Sequence, residues 1–136
     1  MMKTFRLELY ATDRAFYSGP CEFMVIPAGD GEYGVLAGHE PVVLAVHAGE
    51  LRFTADGKQR VLAVGDGFAD ITGDLVTVLT DFAENADEVD LMRARAAKAR
   101  AEDRIKAHKD AVSVAHAQAA LSRAIARIKV SSRVVH

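Results

Sequence analysis

The sequence predicts a β + α chain of two modules: an all-β sandwich or flattened barrel over residues 1–84, then an antiparallel two-helix hairpin over residues 85–136. Three observations carry this. All 10 glycines fall at or before Gly73, all 3 prolines at or before Pro41, and all nine Phe and Tyr at or before Phe82, whereas fourteen alanines and no Gly or Pro follow Glu84. Gly, Pro, aromatic and β-branched residues suit turns and strands, and Ala, Arg, Lys and Glu suit helices. Charge divides at the same place, with 6 basic against 13 acidic residues up to Glu84 and 11 against 6 beyond it, net −7 and +5. The hydrophobic period also changes there, from about two residues to about 3.6.

In chain order, Phe5–Leu9 alternates apolar and polar residues, as do Leu51–Ala55 and Leu75–Leu79, while Glu22–Ile26 and Pro41–Val46 are more continuously apolar. Asp56-Gly57 joins two strand-like runs as a two-residue hairpin turn. Gly49, Gly65–Gly67 and Thr72–Asp74 punctuate the remainder. The helical pattern runs from Glu88 to about His108, with Asn85 or Asp87 as its cap and Asp87, Glu88 and Asp90 placing negative charge at the positive end of the helix dipole. Its expected apolar stripe is Val89, Met92, Ala96, Ala99 and Ile105. A connection around "AHKDAVS" offers Asp110 or Ser113 as the next cap. The second helix spans about Val114–Lys129, with Ala117, Leu121, Ala124, Ile125 and Ile128 on one face. An alanine contact contributes well under about 1 kcal/mol, so this hairpin is expected to be marginally stable and able to leave its resting place.

Other features narrow the function. One cysteine, Cys21, excludes an internal disulfide and reads as a small buried hydrophobe. The first residues carry regular charges and no apolar h-region of a signal peptide, and no run approaches the roughly 18 apolar residues of a membrane helix. "AGDGEYGVLAGHEP" (Ala28–Pro41) contains Gly29, Gly31 and Gly34 in a G-x-G-x-x-G pattern. A dinucleotide fingerprint needs a helix directly after it, and the residues to Pro41 cannot start one, while Asp30 and Glu32 would repel phosphate. The glycines read instead as a tight connection, or as a loop presenting Glu32, Tyr33 and His39 to a partner. Catalysis by His39 with Glu32 or Glu40 lacks a nearby Ser or Cys nucleophile. His108 and His116 have no Cys or His cluster around them, so no metal site is expected, and His47 and His136 carry no motif. In the basic half, Arg93 and Arg100 share a face of the first helix and Arg123 and Arg127 a face of the second. Converging arginines without carboxylates would repel one another unless an anion sat between them, and otherwise form a solvated basic face. Nucleic-acid binding would use the same charges, but no aromatic side chain lies among them to stack on bases.

The chain as a whole resembles the epsilon subunits of bacterial rotary (F-type) ATP synthases. The resemblance lies in "IPAGDGEYGVLAGHEPVV", with Gly31, Glu32, Gly34, Leu36, Gly38, His39 and Pro41 in the family pattern, and in a hairpin opening "VDLMRARAAKARAE" and closing "AALSRAIARIKV". It implies a ten-stranded β-sandwich followed by two helices. It implies a non-catalytic rotor subunit at the foot of the central stalk, coupling ion translocation to ATP synthesis. The partners would be the gamma subunit and the c-subunit ring, with membrane contact only through the complex, on the cytoplasmic face of the bacterial cell membrane. Glu32 matches a position facing the ring, and His39 one near gamma. The hairpin matches a regulatory element that permits ATP hydrolysis when folded and, when extended among the alpha and beta subunits, blocks it. Some members bind ATP as a regulatory ligand through an Ile/Leu-Asp-x-x-Arg-Ala motif. Here Val89, Asp90, Arg93 and Ala94 fit it, with Val at the aliphatic position, and Glu84, Arg100, Arg123 and Arg127 match the other ligand positions. Arginines would face the phosphates, with Asp90 and Glu84 toward the base and ribose. No obligatory cofactor is implied. The alternatives are a rotor subunit without nucleotide binding and, more remotely, a nucleic-acid-binding hairpin.

Overall fold

The computed structural model describes residues 3–133; His136 lies outside them. Ten strands come first: β1 (Phe5–Ala11), β2 (Arg14–Cys21), β3 (Phe23–Ala28), β4 (Gly31–Leu36), β5 (Val42–Val46), β6 (Gly49–Ala55), β7 (Lys58–Val64), β8 (Gly67–Ile71), β9 (Leu75–Thr80) and β10 (Ala83–Asn85). They form two sheets, ordered β2-β1-β9-β8-β5 and β10-β7-β6-β3-β4. Neither sheet closes on itself, so the module is a sandwich and not a flattened barrel. One exposed edge, β2, carries Pro20, which cannot donate to a further strand.

Alternation decides which residues face inward. Phe5, Leu7, Leu9 and Ala11 of β1 meet Val76 and Val78 of β9, Leu51 and Phe53 of β6, and Met24 and Ile26 of β3 in one core. The Asp56-Gly57 turn forms as expected, pairing Ala55 with Lys58. Asp56 and Gly57 have φ of 54° and 73°, the left-handed pair that a two-residue hairpin requires. β1 lies between β2 and β9, antiparallel to the first and parallel to the second, with Leu7 opposite Val76.

A short 3₁₀ turn (Ala86–Glu88) leads to α1 (Leu91–Ala107) and α2 (Ala111–Ser131). The first helix starts later than expected, and neither Asn85 nor Asp87 caps it. Val89 is extended, and Asp90 is the cap, its Oδ1 accepting from Arg93 N at 3.0 Å. Of the two candidates for α2, Asp110 is the cap, through Ser113 N at 2.9 Å. α1 also turns inward a face that only partly matches the expected stripe. It buries Ala94 and Ala101 and half-buries Leu91, Ala97 and Ile105, while Met92 is 83% exposed and Ala96 and Ala99 face solvent. The expected α2 stripe holds for Ala117, Leu121, Ala124 and Ile128, but Ile125 is exposed. A second buried stripe, Ala126 and Val130, packs on Ala63, Val61 and Phe82 of the sandwich. α2 therefore has two apolar sides, one against α1 and one against the outer face of the β10-to-β4 sheet. The second contact is small, contributing on the order of a few kcal/mol.

Candidate functional site

Two regions were singled out by the sequence, and they sit apart. In the first, Gly29 and Asp30 are the turn between β3 and β4, and Gly31 and Gly34 lie within β4. No helix follows, so no phosphate-binding helix end is available at these glycines. Gly31 has φ of +124°, where a side chain would be strained. Tyr33 and His39 are half-buried and hold one another. His39 Nδ1–H donates to Glu40 O at 2.8 Å, so its Nε2 accepts from the Tyr33 hydroxyl at 3.2 Å. Glu32 is the exposed member, and Arg52 Nη2 reaches it at 2.7 Å.

The second region is a cleft of about 480 Å³ where the two helices meet the end of the sandwich. It is lined by Glu84 of β10, by Glu88, Asp90, Arg93, Ala94, Ala97 and Arg100, and by Ala120, Arg123, Ala124 and Arg127 of α2. Seven of the eight residues expected at a nucleotide site are thus brought together from three elements; Val89 is not among the lining residues. The alanines create the room, because a seam of methyl groups lets the helices approach while nothing larger fills the space between the arginines. Among the described residues Arg93, Arg100 and Arg123 have no carboxylate within ion-pair distance. Arg127 Nε is 2.5 Å from Glu84 Oε1, and its guanidinium lies 3.8 Å from the centroid of the Phe82 ring. The cleft combines three carboxylates, Glu84, Glu88 and Asp90, with four guanidinium groups, three of which have no ion pair among the described residues and can hold an anion.

Glu88 and Arg14 were not anticipated as part of this region. Arg14 of β2 donates to Glu88 at 3.0 and 3.1 Å and to Ala83 O at 2.8 Å, while Glu88 Oε1 accepts from the Asn85 backbone and side-chain amides at 2.8 Å each. Asn85-x-x-Glu88 has the spacing of a capping box, so half of this anchor was visible in the sequence. The Arg14 bond, then the Asn85 backbone bond, hold the Glu88 carboxyl down at about 2. A depressed carboxylate stabilises the fold above its ordinary value and loses that contribution as the pH falls toward its folded value. The anchor is therefore expected to be intact above about 4.5 and to release as the pH approaches about 2. The Glu88 carboxyl resonance should titrate near that lower value and move up in Arg14→Met. A wild-type midpoint near an ordinary glutamate's, about 4.3, would exclude the anchor.

This combination defines a class: a β-sandwich bearing a lightly docked, cationic two-helix arm. Residues 4–86 match the family described as "ATP synthase, Delta/Epsilon chain, beta-sandwich domain", and residues 87–132 match "ATP synthase, Delta/Epsilon chain, long alpha-helix domain". The chain belongs to the ATP synthase delta/epsilon chain family. It is 45% identical over 132 residues to the ATP synthase epsilon chain of Ruminiclostridium cellulolyticum, covering 97% of this chain and 98% of that one. It is 42% identical over 130 residues to the epsilon chain of Nitratidesulfovibrio vulgaris (strain DP4), covering 96% and 97%. A chain in the Euglena gracilis mitochondrial ATP synthase structure of OSCP, F1 and c-ring has the same fold, with a TM-score of 0.83, 24% identity, and coverage of 98% of this chain and 84% of that one. No helix among the described residues is long and apolar enough to cross a membrane.

Proposed function

We propose that this chain is a non-catalytic central-stalk subunit of a membrane-bound ATP synthase and that its folded arm binds ATP as a regulatory ligand. In this reading the sandwich docks on the gamma subunit and the c-subunit ring, with Glu32 on the ring-facing edge. The subunit lies peripherally on the cytoplasmic face of the membrane and turns with the rotor. When the arm extends, its basic residues enter among the alpha and beta subunits and inhibit hydrolysis.

The observation that carries the regulatory part is the convergence of Arg93, Arg100 and Arg123 on one cleft without carboxylate partners among the described residues. ATP would place phosphate between them, with Glu84 and Asp90 toward the base and ribose. Because the cleft is built from both helices and β10, it exists only while the arm is folded. A ligand that binds one of two conformations stabilises it by RT ln(1 + [L]/Kd), about 2.7 kcal/mol at a hundredfold excess over Kd. That is comparable to the small contact holding α2 on the sandwich. Calorimetric titration of the full chain with ATP, with and without magnesium, is expected to show one site. No heat and no competition would favour the second reading, a rotor subunit without a nucleotide ligand. The observation on that side is Arg127, already neutralised by Glu84 and stacked on Phe82.

A further inference from the structure

Four alternating charges cross the outer face of the β10-to-β4 sheet. Glu32 on β4 is 2.7 Å from Arg52 Nη2; Arg52 Nη1 is 3.0 Å from Glu50 Oε2; Glu50 Oε1 accepts from Arg133 Nε at 2.7 Å. Arg133 follows the last turn of α2, so the chain of contacts runs from the rim of the β3–β4 hairpin to the end of the arm. Glu50 is its pivot. Its side chain is only 2% exposed, and a carboxylate this buried needs compensating charge. Arg52 comes from the same strand, but Arg133 comes from the arm, so releasing the arm removes one of the two arginines bonded to Glu50.

We infer that this row of charges couples the Glu32 edge to the arm: a cationic group of a partner that engages Glu32 loosens the hold of Arg133 on Glu50. The four charges sum to zero. Once an outside cation neutralises Glu32, two arginines share one carboxylate, and their mutual repulsion is only partly offset. Arg52 also turns wholly to Glu50, competing with Arg133 for the same oxygen, since both donate to Oε2. Burial pushes the Glu50 carboxyl up, yet the Arg133 and Arg52 bonds outweigh it, with Lys129 adding to them; Glu32 itself adds to the field that holds Arg133. Coupling is reciprocal, so a released arm leaves Arg52 more fully engaged by Glu50 and frees Glu32 for an incoming cation. Only the identity of the partner rests on the docking edge proposed above; the coupling rests on the ion pairs.

Hydrogen exchange of the full chain without nucleotide tests it. In Glu32→Gln the α2 amides are expected to exchange about two- to fivefold faster, the range of a partly exposed ion pair. β6 and β7 amides should keep their rates. Asp70→Asn removes the same charge from β8 in the other sheet and should leave α2 unchanged. In an Arg133→Gln background the effect of Glu32→Gln should shrink toward none. The inference is overturned if Glu32→Gln matches Asp70→Asn, if the sandwich amides accelerate equally, or if the effect survives undiminished without Arg133. ATP titration does not enter this measurement, so the coupling and the nucleotide site can fail separately.

Discussion

Replacing Arg123 by alanine is expected to weaken ATP binding to the full chain by more than tenfold. Arg123 projects from α2 into the arm cleft, is half-buried, and has no carboxylate partner among the described residues. A hydrogen bond to a charged group contributes about 1.5–3 kcal/mol, and each 1.4 kcal/mol is a factor of ten in affinity. Removing one guanidinium from a phosphate therefore costs roughly ten- to a hundredfold. Arg123→Lys keeps the charge and loses the planar fork, so it should fall between the two. Arg95 sits on the same hairpin, exposed and outside the cleft. Arg95→Ala supplies the comparison and should bind as the unaltered chain does. Equal affinities for the Arg123 and Arg95 variants in calorimetry would take the cleft out of the mechanism.

The second large effect is expected at the foot of the arm. Ala126 is 2% exposed, wedged with Val130 against Ala63. A carboxylate introduced there is pressed against Ala63 and Val130 beside the buried Glu50, and burying a charge in such a contact costs several kcal/mol even with Lys129 one turn away. Ala126→Asp should therefore detach α2 instead of distorting the sandwich. Trypsin is expected to cut between residues 85 and 133 at least tenfold faster, and the sandwich should resist cleavage and melt within a few degrees of its original temperature. A sandwich that unfolds together with the arm would mean that the two modules share one cooperative core, and the mobile-arm account would fail with it.

The sandwich was legible because its information is local. Alternation in Phe5–Leu9 names the buried side chains directly, and Asp56-Gly57 specifies its own turn. The arm was legible in composition and in the cap of its second helix, Asp110, but not in the cap or the inward face of its first. Met92, its largest apolar residue, drew the stripe toward the face that is exposed, while the buried seam is made of alanines that carry almost no periodic signal. The expected site residues converge because Arg93 and Arg100, and Arg123 and Arg127, obey helical spacing. Their placement beside Glu84 depended on a tertiary contact. Glu50 was beyond reach: within "AGELRF" it reads as an outward strand residue, and it is buried only because the end of α2, some eighty positions later, covers it.

The position of β1 has a consequence for how the molecule is made. One side of it pairs with β2, the next strand, but the other is completed by β9, so that row of hydrogen bonds waits for about seventy further residues. The sheet cannot finish while the ribosome still holds Val76–Thr80. The strands that α2 lands on, β6, β7 and β10, all precede it in the chain, so they leave the ribosome before the helix that covers them.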